Sequence, residues 1–318
     1  MDNFEKLSLF KRMKMSIEEL EVYYLELRKY EHDNNISLKG IELRKKIHGI
    51  LLELIKIERK LSGENLKVIY DERTDTKRPI IYACSHIGGN DVQRAFEAIE
   101  KHAYLFIGDL KGLYKDLTGL ILYLNGAIML QNDDLNGKLT ETQIKEDKHI
   151  AKGRAIELLS SGGNLLIYPE GAWNVTPNLL MMDIFGGTID IASKTNAIII
   201  PMAIEQYGKN FVANIGENID FSQKNNMDHK EMRKYLRDAM ATLKYDIFES
   251  VEPDKRCDIL TTEEQFAQKI ISRCPYNFTI DDVEKTRYHD KEKNSYEEVF
   301  EFQKKLIPSK ENAFLFRK

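Results

Sequence analysis

The chain has 318 residues, is 42% apolar and 31% charged, and carries a formal net charge of −4. That composition suits a folded, water-soluble protein with a sizeable core, and the mildly acidic balance argues against a nucleic-acid-binding surface. The cysteines, Cys84, Cys257 and Cys274, are three and scattered, which fits a reducing, cytoplasmic setting better than a disulfide framework or a metal-type cysteine cluster.

Residues 1–65 read as a helical hairpin. Met1 to Ile17 mixes charges among its apolar residues and lacks the continuous apolar stretch of a signal peptide. Ser16 and Glu19 form a capping-box pair that opens a helix through about His32, and Asn34-Asn35 breaks it. Ser37 starts a second helix with Leu43, Ile47, Ile50, Leu51, Leu54 and Leu61 on one face and Gly63 at its C-cap. Such a face covers either the rest of the protein or a lipid interface.

From residue 66 to about 220 the texture becomes that of an α/β core. Leu66–Tyr70, Pro79–Ser85, Ala103–Gly108, Ala127–Leu130, Asn164–Tyr168, Ala197–Ile204 and Phe211–Ile215 read as strands. Most are continuous apolar runs, as expected where both faces of a strand are covered. Helices are expected over Asp91–Lys101, Lys148–Leu159 and Phe185–Lys194. The alternation predicts a largely parallel mixed sheet flanked by helices. The run Leu117–Leu130 is the most apolar, but Thr118, Gly119, Asn125 and Gly126 interrupt it. It falls short of the roughly 18 apolar residues needed to span a bilayer. It can be a buried helix-and-strand pair, an acyl-chain tunnel or a lipid contact. Residues 221–318 read as a helical C-terminal region packed on the core, opening with a helix over Asp228–Glu249. The aromatics Tyr276, Phe278, Tyr288, Tyr296, Phe300 and Phe302 argue for packing rather than a disordered tail.

Chemistry is expected at the ends of two strands. The first is followed by Ser85-His86-Ile87-Gly88-Gly89-Asn90-Asp91. Residues five apart on a regular helix point about 140° away from each other, so His86 and Asp91 need a turn to meet. Gly88-Gly89 supplies one, and Asn90 is placed to cap the following helix with Gln93 at the capping-box position. A carboxylate beside an imidazole fixes its tautomer and stabilises the imidazolium, leaving the other ring nitrogen to take a proton. The plainer alternative is a turn histidine beside a carboxylate that favours the helix dipole. The second strand ends in Tyr168-Pro169-Glu170-Gly171, where a glycine permits close approach and a glutamate can bind hydroxyls. A third run, Ala197–Ile200, ends in Pro201. Cys84 reads as strand filler, and neither it nor Ser85 has the Gly-x-Ser-x-Gly context of a nucleophile.

His86-x-x-x-x-Asp91, Tyr168-Pro169-Glu170-Gly171, the glycine-containing Phe185-Gly186-Gly187 segment leading to Ala192, and Ile198-Ile199-Ile200-Pro201-Met202-Ala203, in this order, resemble the lysophospholipid acyltransferase family, whose members acylate glycerol-3-phosphate or 1-acylglycerol-3-phosphate. The resemblance covers about residues 66–220. It implies an acyltransferase of lipid metabolism, in phospholipid biosynthesis, with His86 and Asp91 as the catalytic dyad. It implies an acyl-CoA or acyl-ACP co-substrate, a lipid or glycolipid acceptor, no metal and no tightly bound cofactor. It also implies a cytoplasmic protein with peripheral contact to the inner face of the membrane. Acceptor-binding residues are expected at Glu170, Gly171, Trp173 and Lys111.

Two departures bear on the acceptor. The family usually has a motif resembling Phe-x-x-Arg where this chain reads Ile128-Met129-Leu130-Gln131-Asn132, with no arginine, and Thr-Arg or Thr-x-Ser after Glu-Gly where this chain has Ala172-Trp173. In the family those arginines are associated with the acceptor's phosphate, and neither asparagine nor tryptophan supplies their charge. Either the acceptor lacks a phosphate there, as a sugar or glycolipid would, or Lys111, Lys115 or Arg154 supplies the charge, although Arg154 is expected on the outer face of its helix. Trp173 can stack on a sugar ring or acyl chain, or simply pack a loop. Two rivals remain: a metal-dependent hydrolase using His86, Asp91 and Glu170 as ligands, and a lipid-binding protein that has lost catalysis.

Overall fold

The computed structural model describes residues 4–34, 41–108, 122, 126–131, 139–175, 180–224, 226–250, 263–273 and 279–286. In chain order the elements are α1 (Leu9–Met13), α2 (Ile17–Asp33), α3 (Ile41–Ser62), β1 (Asn65–Asp71), β2 (Ile80–Cys84), α4 (Asp91–Ile99), β3 (Tyr104–Gly108) and β4 (Ile128–Leu130). They continue with α5 (Glu141–Ser160), β5 (Leu165–Ile167), α6 (Gly187–Thr195), β6 (Ile198–Tyr207), β7 (Asn210–Ile215), α7 (His229–Ser250), α8 (Glu263–Ile271) and α9 (Ile280–Thr286).

The seven strands form one sheet in the order β1-β7-β6-β2-β5-β3-β4. Every neighbouring pair is parallel except β6 and β7, which are antiparallel. The central strands are continuous apolar runs because helices cover both faces. Ile81, Ala83, Leu165, Ile167 and Ile199 pack under α5, α6 and α7. Ile80, Tyr82, Cys84, Leu166 and Ile200 pack under α3 and α4. β1, at the sheet edge, leaves most of its residues exposed.

Each parallel crossover returns its helix against the strand direction. The N-termini of α4, α5 and α6 therefore lie at the carboxyl edge of the sheet, after β2, β4 and β5 respectively, the edge where α/β sheets bind ligands.

The two N-terminal helices, expected as a hairpin, take separate partners. α2 lies on α5 and α3 on α4, so they serve opposite faces of the sheet. The capping box at Ser16 and Glu19 is formed as expected. α2 is fastened to α5 by a buried, bidentate ion pair. Arg28 Nε and Nη2 donate to Asp147 Oδ1 and Oδ2 at 2.7 and 3.0 Å. In the C-terminal region, Phe266, Ala267, Ile270, Ile271 and Val283 join the main core. Tyr276, Phe278, Tyr288, Tyr296, Phe300 and Phe302 lie outside the described residues, as do Cys257 and Cys274.

Removing one member of a buried ion pair leaves an uncompensated charge, at a cost of about 3–5 kcal/mol. Arg28→Ala is therefore expected to lower the unfolding free energy by about 3 kcal/mol, read from denaturant titration. A loss under about 1 kcal/mol would mean that water reaches Asp147 and replaces the arginine.

Candidate active site

Between β2 and α4 the chain turns sharply. Gly88 and Gly89 sit at φ of +80° and +65°, a region that costs glycine nothing and other residues a clash. Ser85 pins the start of this turn to β6: its Oγ accepts from Ile204 N at 3.0 Å and donates to Ile204 O at 3.3 Å.

The turn closes on one oxygen. Asp91 Oδ2 accepts from His86 Nδ1 at 2.7 Å, from Ile87 N at 2.7 Å and from Gly88 N at 3.0 Å. The carboxylate is buried at the N-terminus of α4, where the helix dipole favours its charge. With Nδ1–H donating to Asp91, the ring presents Nε2 as its basic nitrogen. The imidazole stacks on Tyr168, with centroids 4.2 Å apart and planes at 30°, and meets Trp173 edge-on at 6.1 Å. Asn90 does not cap α4. Its side chain donates instead to Glu64 Oε1 at 3.1 Å.

Glu170 is fully buried. Its Oε1 accepts from His86 N at 3.0 Å and its Oε2 from Met182 N at 2.9 Å. Burial pushes its carboxyl above the usual carboxylate range, against the pull of Lys244 and the two amides. Glu170 thus clamps the ends of β2 and β5 together from behind, and it does not line the cavity that His86 faces. Gly171, at φ +70°, does line it. A Cβ there would lie 2.2 Å from Phe185 Cε2, so the close approach of the Phe185 ring requires glycine. Cys84 is fully buried, and burial pushes its thiol well up, as befits strand filler.

The cavity holds about 320 Å³. His86, Tyr168 and Trp173 contribute to one wall, while Phe106, Leu130, Ile167 and Ile191 give it an apolar lining. Lys148 and Lys152 of α5 and Thr188 of α6 also line it. No motif marked those three residues. Lysines one helical turn apart ordinarily read as a solvated face, and only the α5–α6 contact turns them inward. Of the residues expected around the acceptor, Gly171 and Trp173 reach the cavity, Glu170 stands behind it, and Lys111 lies outside the described residues. Lys115 and most of Leu117–Leu130 lie outside them too.

The position of the expected arginine is closed. Gln131 is buried. Its backbone N–H donates to Asp147 Oδ2 at 2.7 Å and its Nε2 to Glu21 Oε1 at 2.6 Å. Arg154, expected on an outer face, lies under α2, where its Nη2 donates to Arg28 O at 3.0 Å and to Glu31 Oε2 at 3.3 Å. Among the described residues, no three His, Cys, Asp or Glu side chains gather as a metal site.

Residues 65–205 match the family model described as Acyltransferase. No curated protein matches the chain. Among solved structures, the chain is similar to the 1-acyl-sn-glycerophosphate (LPA) acyltransferase PlsC from Thermotoga maritima, at 14% sequence identity and a TM-score of 0.50. The match covers 73% of this chain and 92% of that one, and shows a shared fold. Residues 65–205 thus combine a match to the Acyltransferase family model with a mostly parallel seven-stranded sheet and flanking helices, the fold shared with that acyltransferase.

Proposed function

We propose that the chain transfers a fatty acyl group from a thioester donor, acyl-CoA or acyl-ACP, to a hydroxyl of a lipid-like acceptor, with His86 as general base. One observation carries this reading. In an acyltransferase-family domain, a buried carboxylate holds His86 Nδ1 at 2.7 Å while the ring borders an apolar cavity at the carboxyl edge of the sheet. The acceptor hydroxyl attacks the thioester carbonyl as His86 Nε2 takes its proton. Collapse of the tetrahedral intermediate breaks the carbon–sulfur bond, and the imidazolium returns the proton to the departing thiolate. Asp91 stabilises the imidazolium between these steps. Glu170 acts at one remove, by fixing the His86 backbone. Gly171 and Trp173, with Lys111, contact the acceptor. No acyl-enzyme and no tightly bound cofactor are required.

The donor geometry disfavours the metal-dependent hydrolase. Asp91 Oδ2 already accepts three N–H groups, and each Glu170 oxygen accepts a backbone amide. Those lone pairs are engaged, so the three groups do not converge on an ion.

A lipid acceptor requires contact with a lipid surface. Among the described residues no helix is long and apolar enough to cross a membrane. However, α3 exposes Ile50, Leu54, Ile57 and Leu61, each at least 52% accessible, at the spacing of one helical face. Lys45, Lys46 and Lys60 are exposed on the same helix. An apolar stripe flanked by lysines suits the surface of an anionic bilayer, and we assign α3 to peripheral contact at the inner membrane face.

Incubated with acyl-CoA or acyl-ACP and a lipid extract, the purified protein is expected to yield a new acylated lipid. His86→Ala should lower kcat by about 10²–10⁴-fold at unchanged thermal stability; transfer at the wild-type rate would remove His86 from the mechanism. Leu54→Glu with Leu61→Glu should weaken sedimentation with anionic vesicles by at least about tenfold, and unchanged sedimentation would exclude this face of α3.

A further inference from the structure

We propose that Tyr168 is a positioning residue for His86. Its ring face holds the plane of the imidazole, so that Nδ1–H stays on Asp91, and supports the ring while it carries a proton. The proposal rests on the reading of His86 as the general base.

The backbone of His86 is pinned at both ends. Its N–H donates to Glu170 Oε1 at 3.0 Å, and its carbonyl accepts from Asn174 N at 2.9 Å. The ring is a separate matter, because the last torsion of a histidine side chain is broad. The 2.7 Å contact between Nδ1 and Asp91 decides which way round the ring sits. One hydrogen bond still lets the plane tilt about its axis, and a contact on the ring face removes that freedom. Tyr168 supplies the contact, with centroids 4.2 Å apart and planes at 30°.

Tyr168 is itself fixed. It is 6% exposed and belongs to the core cluster of Cys84, Ile87 and Phe96 on the α4 side of the sheet. Its carbonyl accepts from Gly171 N at 3.0 Å, which closes the Pro-Glu-Gly turn directly behind it. An aromatic face attracts a cation within about 6 Å of its centre, and more strongly where water is excluded. The imidazolium formed during acyl transfer is such a cation. Burial pushes the phenol well above its usual range, so the ring stays neutral and adds no charge of its own.

The hydroxyl and the face make different demands. Tyr168 Oη is buried and has no hydrogen-bond partner among the described residues. Such a group destabilises the fold, so phenylalanine should serve the face equally well and the fold better. Tyr168 also fills the core, and losing its ring lowers stability whatever it does for His86. The test therefore needs a readout that packing alone does not move.

The full chain is made with ¹⁵N-labelled histidine as wild type, Tyr168→Phe, Tyr168→Leu and Tyr168→Met. The His86 ring signals are identified by their loss in His86→Ala. Wild type and Tyr168→Phe should show a single Nδ1–H tautomer and kcat values within about twofold. Tyr168→Phe should unfold at the same or a higher temperature. The leucine and methionine variants fill the space without a π-face. They should show mixed tautomers and a kcat about tenfold lower, with KM nearly unchanged. A folded leucine or methionine variant with one tautomer and wild-type kcat would overturn the proposal. So would a Tyr168→Phe protein as impaired as the leucine variant, which would move the role to the hydroxyl. If neither aliphatic variant folds, Tyr168 is a core residue and the proposal falls. A wild type that transfers no acyl group, yet keeps one tautomer that the leucine variant loses, would sustain the positioning role and sink the catalytic reading.

Discussion

The site depends on a single carboxylate oxygen. Asp91 Oδ2 draws the His86 ring and the amides of Ile87 and Gly88 to one point. Hydrogen bonds to a charged acceptor are worth about 1.5–3 kcal/mol each, and burial at a helix N-terminus leaves the charge no better partner. The turn, the first residue of α4 and the orientation of the imidazole are consequently one structural event. Two successive amides can converge on one oxygen only where the chain folds back tightly, and this is what Gly88 and Gly89 permit. A histidine held this way is oriented before any substrate arrives, so catalysis need not supply the ordering.

Glu170 extends the constraint to the neighbouring strand. By accepting from His86 N and Met182 N, it joins the carboxyl end of β2 to the loop that follows β5. The Pro-Glu-Gly sequence is therefore a clamp and a close-approach turn at once: the glutamate faces inward while Gly171 faces the cavity. A carboxylate at a strand end can bind a hydroxyl or satisfy backbone, and the residue type does not distinguish them. The orphan amides nearby do, and those belong to residues 84 positions before and 12 after Glu170.

That distinction explains what was legible in the sequence. The strands other than the mostly exposed β1 are legible because covered strands are apolar runs and such runs are local. The meeting of His86 and Asp91 is too, since the residues lie within one turn and the glycines declare it. The rest hinged on distant partners. Asn90 looks like a cap until Glu64 is brought beside it. Residues 1–65 look like a hairpin until α2 finds Asp147 on α5 through Arg28. Arg154 looks outward until α2 lies over it. In each case local spacing specified a helix or a turn, and tertiary packing chose the contact.

The two departures from the family pattern gain a physical meaning from the same packing. At the end of β4, Gln131 joins Glu21, Asp147 and Arg28 in a buried polar network. The side chain at 131 is turned to Glu21 of α2 and away from the cavity, so this position is committed to the docking of α2, whatever the acceptor carries. The missing charge therefore does not by itself describe the substrate. Among the described residues, the cations that line the cavity come from α5, through Lys148 and Lys152. Point charges on flexible stems impose less geometry on an anion than the planar fork of an arginine.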